Sequence, residues 1–358
     1  MEVDLVYIHT QCTLDLGRRR MSTEEAVSVD NVLSAASRLK GKVQETPLLE
    51  SVALNNMTGA RILVKAECLQ TAGSFKIRGA LHRVLRLTRE QRAKGVVAFS
   101  SGNFGQGLAA ACSTFFDPPV KCTIVMPGDA PLGKQKRAKS YGANVVLSDI
   151  VEGVNREVTA AELAEALSSR HAYTLLHPFE DVDVIAGQGS CAVEICEQCR
   201  RRGVDNLDAL LIPHGGGGLS AGCSLATNAA FPNANIYVVE PEFYDDMRLS
   251  LAAGKRIGLE GNPPSLCDAL QAVKPGANTF PINQRLLSGA LVVNDSEVRN
   301  AMKVAFETLQ IVLEPGGATG LAAVLSNKLP DVKGKTICII ASGGNLSLEK
   351  YMRTISRM

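Results

Sequence analysis

LLIPHGGGGLSAG, residues 210–222, joins an apolar strand pattern to the start of a helical pattern through four consecutive glycines. Consecutive glycines allow backbone N–H groups to turn inward, and the helix that follows adds the positive end of its dipole. We therefore predict that residues 215–218 bind a phosphate group. The segment is not a Walker loop, because no Lys-Ser/Thr follows, and it lacks the GxGxxG spacing with an acidic partner that is typical of dinucleotide-binding folds.

Two further loops follow predicted strands in the same way. The strand pattern at 96–99 leads into Ser100–Gly107, and the pattern at 338–341 leads into Ser342–Asn345. Ligands of open α/β sheets gather beyond the carboxyl ends of the strands. The three loops therefore lie where this class of fold binds its ligands.

Short apolar runs alternate with longer helical patterns along the whole chain. The helical patterns include 155–168 and 295–309, and the predicted buried strands are 61–65, 95–99, 122–126, 144–147, 209–212, 235–239 and 336–340. Alternation of strands and helices predicts an α/β fold with mostly parallel sheets.

Lys76 lies among small and apolar residues in the segment 72–80, which has the sequence AGSFKIRGA. A lysine held close to packed backbone loses hydration, so its pKa falls and its neutral amine becomes a nucleophile for aldehydes. By itself the pattern favours the ordinary alternative, a lysine whose ammonium group extends into water. The glycine-rich loops reverse that preference and predict a lysine that forms a Schiff base.

Composition excludes several classes of protein. The chain of 358 residues is long enough for two domains, or for one large core with a smaller partner. The net charge is +2, Trp is absent and aromatic residues make up 4%, so nucleic-acid binding is not expected. No apolar run approaches the ~18 residues that a membrane span needs.

Ten cysteines are scattered through apolar patterns, and we expect them to be buried, reduced thiols. Cys196 and Cys199 have CxxC spacing, but no second pair follows and the segment has a helical pattern, which argues against zinc or redox use. The first ~20 residues fit neither a secretory signal nor a transit peptide, and Met21 remains open as the working start. Ser356-Arg357-Met358 is similar to a three-residue peroxisomal address, but so short a match leaves the cytoplasm as the expected compartment.

These features together resemble the fold-type II pyridoxal-phosphate enzymes, and among them the serine/threonine dehydratase and serine racemase family. The resemblance covers residues 33–345 and includes specific strings at 73–80, 184–189, 215–218 and 314–318. It implies two open, twisted, mostly parallel sheets flanked by helices, as in the tryptophan synthase β subunit. It also implies a large cofactor-binding domain of residues 1–93 and 181–358, a small mobile domain of residues 94–180 that closes over substrate, and assembly as a homodimer or homotetramer.

The resemblance implies roles for the matching residues. Lys76 would hold the aldehyde of pyridoxal phosphate and, once displaced by substrate, move the Cα proton. The cofactor-binding residues would be Phe75, Lys76, Asn103, Gly215, Gly216, Gly217, Gly218, Leu219, Glu314 and Ser342. The substrate carboxylate would be bound by Ser100, Ser101, Gly102, Asn103 and Gln106, and Ser101 stands where racemases have a catalytic serine. A hydroxyl at Ser342, facing the pyridine nitrogen, suits β-elimination better than transamination.

Residues 240–246 match the divalent-cation loop of the same family. The carboxylates of Glu240 and Asp246 and the carbonyl oxygen of Tyr244 would be hard oxygen ligands, suited to Mg²⁺, Ca²⁺ or Mn²⁺. Without the resemblance, an acidic loop of this kind is usually a solvated surface loop.

The activity that the resemblance implies is an L-threonine/L-serine ammonia-lyase, which releases 2-oxobutyrate or pyruvate together with ammonia. Phe104 replaces a His of many relatives, and Phe179 and Ala269 stand where the racemase pattern has Asn and Gly, which favours the dehydratases. Serine racemase is the alternative. A β-replacement enzyme like cysteine synthase fits less well, because those enzymes have Thr-Ser-Gly-Asn, and a catalytically inactive binding protein would be expected to have lost Lys76 or the tetraglycine.

Overall fold

The computed structural model describes residues 26–100, 102–130, 132–151, 156–261 and 263–356. Three sequence predictions therefore fall outside the described residues: the nature of the first twenty residues with Met21, the role of Ser101, and the last two residues of the Ser356-Arg357-Met358 signal. Within the described part of the chain, no helix is long and apolar enough to cross a membrane.

The larger sheet has six strands in the order β1-β2-β10-β7-β8-β9. Its strands are β1 (Leu48–Glu50), β2 (Arg61–Lys65), β7 (Ala209–Pro213), β8 (Asn235–Pro241), β9 (Gly289–Val293) and β10 (Thr336–Ile340). Only the short edge strand β1 is antiparallel to its neighbour, and all other pairs are parallel. The apolar pattern of β2, β7 and β10 reflects burial on both faces, as parallel sheets require.

The smaller sheet has four parallel strands in the order β5-β4-β3-β6. They are β3 (Val96–Phe99), β4 (Cys122–Pro127), β5 (Asn144–Ser148) and β6 (Thr174–Leu175). The sequence predicted β5 as a buried strand, which is wrong: only Ser148 of its five residues is buried. The reason is topological, because β5 is an edge strand that pairs with β4 alone.

Fourteen α-helices cover the described parts of both sheets. They are α1 (Val29–Leu39), α2 (Val52–Thr58), α3 (Lys76–Arg86), α4 (Arg89–Lys94), α5 (Asn103–Thr114), α6 (Leu132–Ser140), α7 (Arg156–His171), α8 (Val182–Arg201), α9 (Gly218–Ala230), α10 (Asp246–Ala253), α11 (Phe280–Leu286), α12 (Asp295–Leu309), α13 (Pro315–Leu325) and α14 (Leu348–Ile355).

Helix α12 shows how local sequence sets the helix ends and the buried face. The side chain of Asn294 accepts hydrogen bonds from the amides of Ser296 and Glu297, and the Glu297 carboxylate accepts one from the Asn294 amide. This capping box begins the helix where the pattern predicted it. Val298, Ala301, Met302 and Ala305 follow at helical spacing and are buried against the larger sheet's core.

The fold class predicted from the sequence, α/β with two mostly parallel sheets, is confirmed. The predicted strands at 61–65 and 336–340 have the observed bounds, and the other predicted strands differ by one or two residues at their ends. Strands β1, β6 and β9 were not predicted, since they are short or half-exposed. The nine cysteines of the described residues are free and buried, as expected.

Candidate active site

The predicted loops meet around the start of helix α3. The tetraglycine follows β7 and Ser342–Asn345 follows β10, and these two strands are parallel neighbours in the larger sheet. The Ser100 loop follows β3 of the smaller sheet. It reaches the larger sheet's loops through Asn103, whose Oδ1 accepts a hydrogen bond of 2.8 Å from Asn345 Nδ2.

Lys76 is the first residue of α3 and is partly buried. Its Nζ donates a hydrogen bond of 3.4 Å to the carbonyl oxygen of Pro178, and no carboxylate lies within ion-pair distance of it among the described residues. The rings of Phe75 and Phe104 have their centroids 5.1 and 5.9 Å from Nζ. Loss of hydration lowers the pKa of Lys76 to about 8, and the nearby Glu314 charge opposes this shift. The direction is the one predicted from the sequence.

Asn103 and Glu314 form a buried polar contact across 211 residues of sequence. Asn103 Nδ2 donates to Glu314 Oε1 at 2.5 Å, and Asn345 Nδ2 in turn donates to the carbonyl oxygen of Ala72 at 2.7 Å. Burial raises the pKa of Glu314 to about 7, and the negative charge of Asp268 adds to the effect. The network fixes the first residue of α5 against the loop that precedes Lys76.

The tetraglycine ends in the first turn of α9, with Gly218 as the first helical residue. Gly217 has φ of 92°, in the left-handed region that disfavours any residue with a side chain. A Cβ at Gly216 would lie 2.4 Å from the ring of Phe179, so this ring packs directly on the loop. In the described part of the chain the amides of residues 215–217 donate to no acceptor, whereas the amide of His214 donates to Val239.

Ser342 lies at the carboxyl end of β10 and is buried, with 5% of its surface exposed. Its carbonyl oxygen accepts a hydrogen bond of 3.1 Å from the amide of Phe75, which ties the β10 loop to the residue before Lys76. Ser74 also forms an isolated bridge with Gly343. No other described residue forms a hydrogen bond with the Ser342 hydroxyl, which is therefore open to a ligand.

The Ser100 loop supplies further polar groups beside Asn103. The amide of Gly102 donates to Ser100 Oγ at 3.2 Å, and the buried Gln106 donates to the Gly102 carbonyl at 3.5 Å. Phe104 is 2% exposed and turns an apolar ring toward Lys76. The loop thus combines donors at the end of a strand with the positive N-terminus of α5.

A buried ionic cluster behind Lys76 was not found by sequence reasoning. Arg78 donates to both oxygens of Glu67 at 2.7 and 2.8 Å and to both oxygens of Glu194 at 2.7 and 2.8 Å. The buried Lys65 also donates to Glu194, at 2.7 Å. Two cations and two carboxylates balance, and they hold α3 against β2 and α8. The signal available in the sequence was Lys65, a charge within an apolar strand.

The acidic loop after β8 contains two buried carboxylates. Glu240 is 0% exposed and accepts hydrogen bonds from the amides of Met247 and Arg248 at 2.8 and 2.9 Å. Asp246 is 1% exposed, and neither of its carboxylate oxygens has a hydrogen-bond partner among the described residues. Burial raises the pKa of both groups, for Asp246 to about 8. Buried, unpartnered carboxylate oxygens fit the donor set that a hard divalent cation requires.

The remaining features of the site fit pyridoxal phosphate. The tetraglycine offers unbonded amides at a helix N-terminus to a phosphate. Lys76 offers an amine with a lowered pKa and no paired carboxylate to an aldehyde. Ser342 offers a free hydroxyl at a strand end, as a ring nitrogen needs. Within the described ranges, no group of three or more His, Cys, Asp or Glu side chains is arranged to hold a metal ion.

Comparison with known proteins agrees with this geometry. The family described as pyridoxal-phosphate dependent enzyme matches residues 39–343. An L-threo-3-hydroxyaspartate ammonia-lyase of a Pseudomonas species is 39% identical over 90% of this chain and 97% of its own length. A serine racemase of Dictyostelium discoideum is 36% identical over 94% of this chain and 100% of its own. The crystal structure of a threonine deaminase from T.th. is 40% identical, with a TM-score of 0.82 over 90% of this chain and 99% of that one.

Proposed function

Because the chain belongs to the pyridoxal-phosphate dependent enzyme family, we propose that it is an ammonia-lyase that eliminates water from L-threonine and L-serine. Hydrolysis of the resulting enamine takes up one water again and releases ammonia, so the net change is the loss of ammonia. The products are 2-oxobutyrate and pyruvate. Serine racemase is the second candidate, since relatives with both names cover nearly the whole chain. The observation that carries the proposal is the amine of Lys76, which has a lowered pKa and no paired carboxylate at the junction of the three loops.

Pyridoxal phosphate, when bound, supplies an aldehyde for the amine and an electron-withdrawing ring that stabilises negative charge at Cα. Lys76 would hold the aldehyde, and its amine would serve as the base for the Cα proton, a role for which a pKa of about 8 is well matched. The rings of Phe75 and Phe104 exclude water from the amine. The rings themselves cannot donate a proton, so racemisation would depend on Ser101 as the second proton donor, whereas elimination would not.

The other groups position the cofactor and the substrate. The phosphate would be held by the amides of Gly215, Gly216, Gly217, Gly218 and Leu219. Asn103 and Glu314 would hold the rest of the cofactor, and the hydroxyl of Ser342 would serve its pyridine nitrogen. Ser100, Ser101, Gly102, Asn103 and Gln106 bind the substrate carboxylate. Residues 94–180 form the small domain that closes over the substrate, and residues 1–93 and 181–358 form the large one. In support, all four strands of the smaller sheet lie between residues 96 and 175.

Two further parts of the proposal concern the cation and the assembly. Glu240, Asp246 and the carbonyl oxygen of Tyr244 bind Mg²⁺, Ca²⁺ or Mn²⁺, and the cation neutralises the buried carboxylates without taking part in the reaction. The enzyme acts in the cytoplasm as a homodimer or homotetramer. The support for the cation is the buried Asp246 carboxylate, which lacks any other described partner.

A substrate panel tests the proposed activity. Purified wild-type protein with cofactor is given L-threonine, L-serine or L-threo-3-hydroxyaspartate, and both keto acid and D-amino acid are quantified. We expect keto acid from L-threonine to exceed D-serine from L-serine, and Lys76→Ala to lower keto acid formation by several orders of magnitude, because the base and the covalent attachment are lost together. Faster D-serine than pyruvate formation would assign the protein as a racemase instead.

Ser101→Ala separates the two candidates further. Racemisation needs a proton delivered to the Cα face opposite Lys76, whereas elimination does not. The variant should therefore abolish any D-serine formation and retain more of the L-threonine elimination, with some loss because the same loop binds the carboxylate. Equal losses of both products would show that Ser101 serves only in substrate binding.

A further inference from the structure

A small polar cavity lies between α1, α3 and α8, apart from the loops around the Lys76 amine. Its volume is about 190 Å³. The polar groups that line it are those of Asn31, Ser34, Arg38, His82, Arg86 and Asp183, and we call it the Arg38 cavity. Asn31, Ser34 and Arg38 follow one another at helical spacing, so α1 turns a single polar stripe toward it. The active-site residues proposed above do not line this cavity.

Arg38 forms no ion pair with any described residue, although the Asp183 carboxylate also lines the cavity. Its only described hydrogen bond joins Nη1 to Nε2 of His82 at 3.1 Å. His82 Nδ1 lies 2.7 Å from the carbonyl oxygen of Asp183, which can only accept, so Nδ1 carries the proton. The lone pair of Nε2 must then accept from Arg38, and His82 is neutral. The other donors of the Arg38 guanidinium are left to the cavity.

The acidic side chains nearby are already paired with other arginines. Asp181 accepts from Arg83 at 2.6 Å, and Asp183 lies 3.3 Å from Arg86 and 3.7 Å from Arg83. Among the residues that the structure describes, three arginines, counting Arg38, therefore face two carboxylates, which leaves one positive charge in excess. That charge is carried by Arg38, beside the exposed hydroxyl of Ser34.

We propose that the Arg38 cavity binds a phosphate-class oxyanion, with the Arg38 guanidinium and the Ser34 hydroxyl as its main donors. An arginine presents a planar set of donors that suits phosphate oxygens, and bonds of this kind are stronger than those between neutral groups. The cavity is smaller than the roughly 300 Å³ at which pockets for whole organic ligands begin. It therefore admits inorganic phosphate, or one phosphoryl group of a nucleotide whose remainder stays outside.

The test is a calorimetric titration of the holoenzyme with inorganic phosphate in phosphate-free buffer. Bound pyridoxal phosphate occupies its own phosphate site, and the difference between wild type and Arg38→Gln separates the heat of the Arg38 cavity from any anion binding at the substrate loop. We expect saturable binding that becomes at least about tenfold weaker in Arg38→Gln, because a charge-assisted bond is lost. A parallel titration with a nucleoside monophosphate distinguishes a nucleotide from inorganic phosphate as the ligand. Tighter binding of the nucleotide than of phosphate would identify a nucleotide as the ligand, and equal binding would identify the free anion.

A matched pair of variants on α1 guards against misfolding of Arg38→Gln. Ser34→Glu places a negative charge in the cavity, and Ser37→Glu places the same charge on the same exposed helix outside it. Ser34→Glu should abolish phosphate binding and Ser37→Glu should leave it within about twofold of wild type. The proposal is overturned if wild type shows no saturable binding, if Arg38→Gln binds as tightly as wild type, or if the two serine variants behave alike.

Discussion

Replacement of Lys76 by Met should stabilise the cofactor-free protein at neutral pH. The lysine ammonium is held against the Pro178 carbonyl and two aromatic rings, without a carboxylate partner among the described residues. Methionine has a similar length and no charge, so it removes the cost of keeping that charge poorly hydrated. The cofactor must be absent, because the covalent bond to Lys76 that we propose would change the charge under test.

The size of the effect follows from the pKa of Lys76, which falls from 10.5 to about 8 on folding. A shift of this size corresponds to about 3 kcal/mol. Because the side chain keeps some contact with solvent, we expect a gain in the free energy of unfolding between about 1 and 3 kcal/mol. The unfolded chain binds more protons than the folded one between the two pKa values, so wild-type stability rises with pH there. The advantage of Lys76→Met is therefore complete below pH 8 and lost as pH rises toward 10.5.

Urea unfolding of both apoproteins at pH 7 and pH 9 measures this difference. With the full shift, the advantage of the variant should shrink by about 1 kcal/mol between the two pH values. Lys94→Met is the matched control, since Lys94 is on the surface in an ion pair with Glu90, and a change there should stay within about 0.5 kcal/mol.

The pH dependence decides the outcome, since methionine also changes packing. A difference between wild type and Lys76→Met that is the same at pH 7 and pH 9 would falsify the argument that hydration of Lys76 sets its pKa. A variant less stable than wild type at pH 7 would show that the hydrogen bond to Pro178 outweighs the cost of the charge.

Three other substitutions or treatments have expected outcomes. Gly216→Ala should destabilise the protein because its Cβ would meet the Phe179 ring at 2.4 Å. In a Phe179→Ala background the melting temperature should recover, while the cofactor affinity measured by fluorescence titration should stay reduced. Full recovery of both quantities would show that the loop does not bind the cofactor. Arg78→Met leaves Glu67 and Glu194 poorly compensated and should cost about 3–5 kcal/mol in chemical unfolding, whereas Arg61→Met, which breaks an exposed pair, should cost at most about 1 kcal/mol. Chelation by EDTA should lower the melting temperature and Mg²⁺ should restore it, while Asp246→Asn should respond to neither; identical curves with and without chelator would remove the cation from the proposal.

The sequence by itself determined the fold class, most of the strands and the candidate residues of the site. Strand periodicity, glycine runs and the setting of Lys76 are local properties, written within ten or so neighbouring residues, and local patterns need no knowledge of distant segments. The capping box of α12 begins that helix at the predicted residue for the same reason. The predicted burial of β5 was wrong, because the sequence does not say which strand lies at the edge of a sheet.

Only the tertiary structure decided which distant groups meet. The contact of Asn103 with Glu314 spans 211 residues, and the partners of Arg78 include Glu194, 116 residues away. The packing of Phe179 on Gly216 likewise depends on where the loop between β6 and α8 meets the tetraglycine. Charges within an apolar pattern indicate that a partner must exist, since burying them unpaired is too costly. The pattern does not identify that partner, because the choice depends on how α3, α8 and β2 pack in three dimensions.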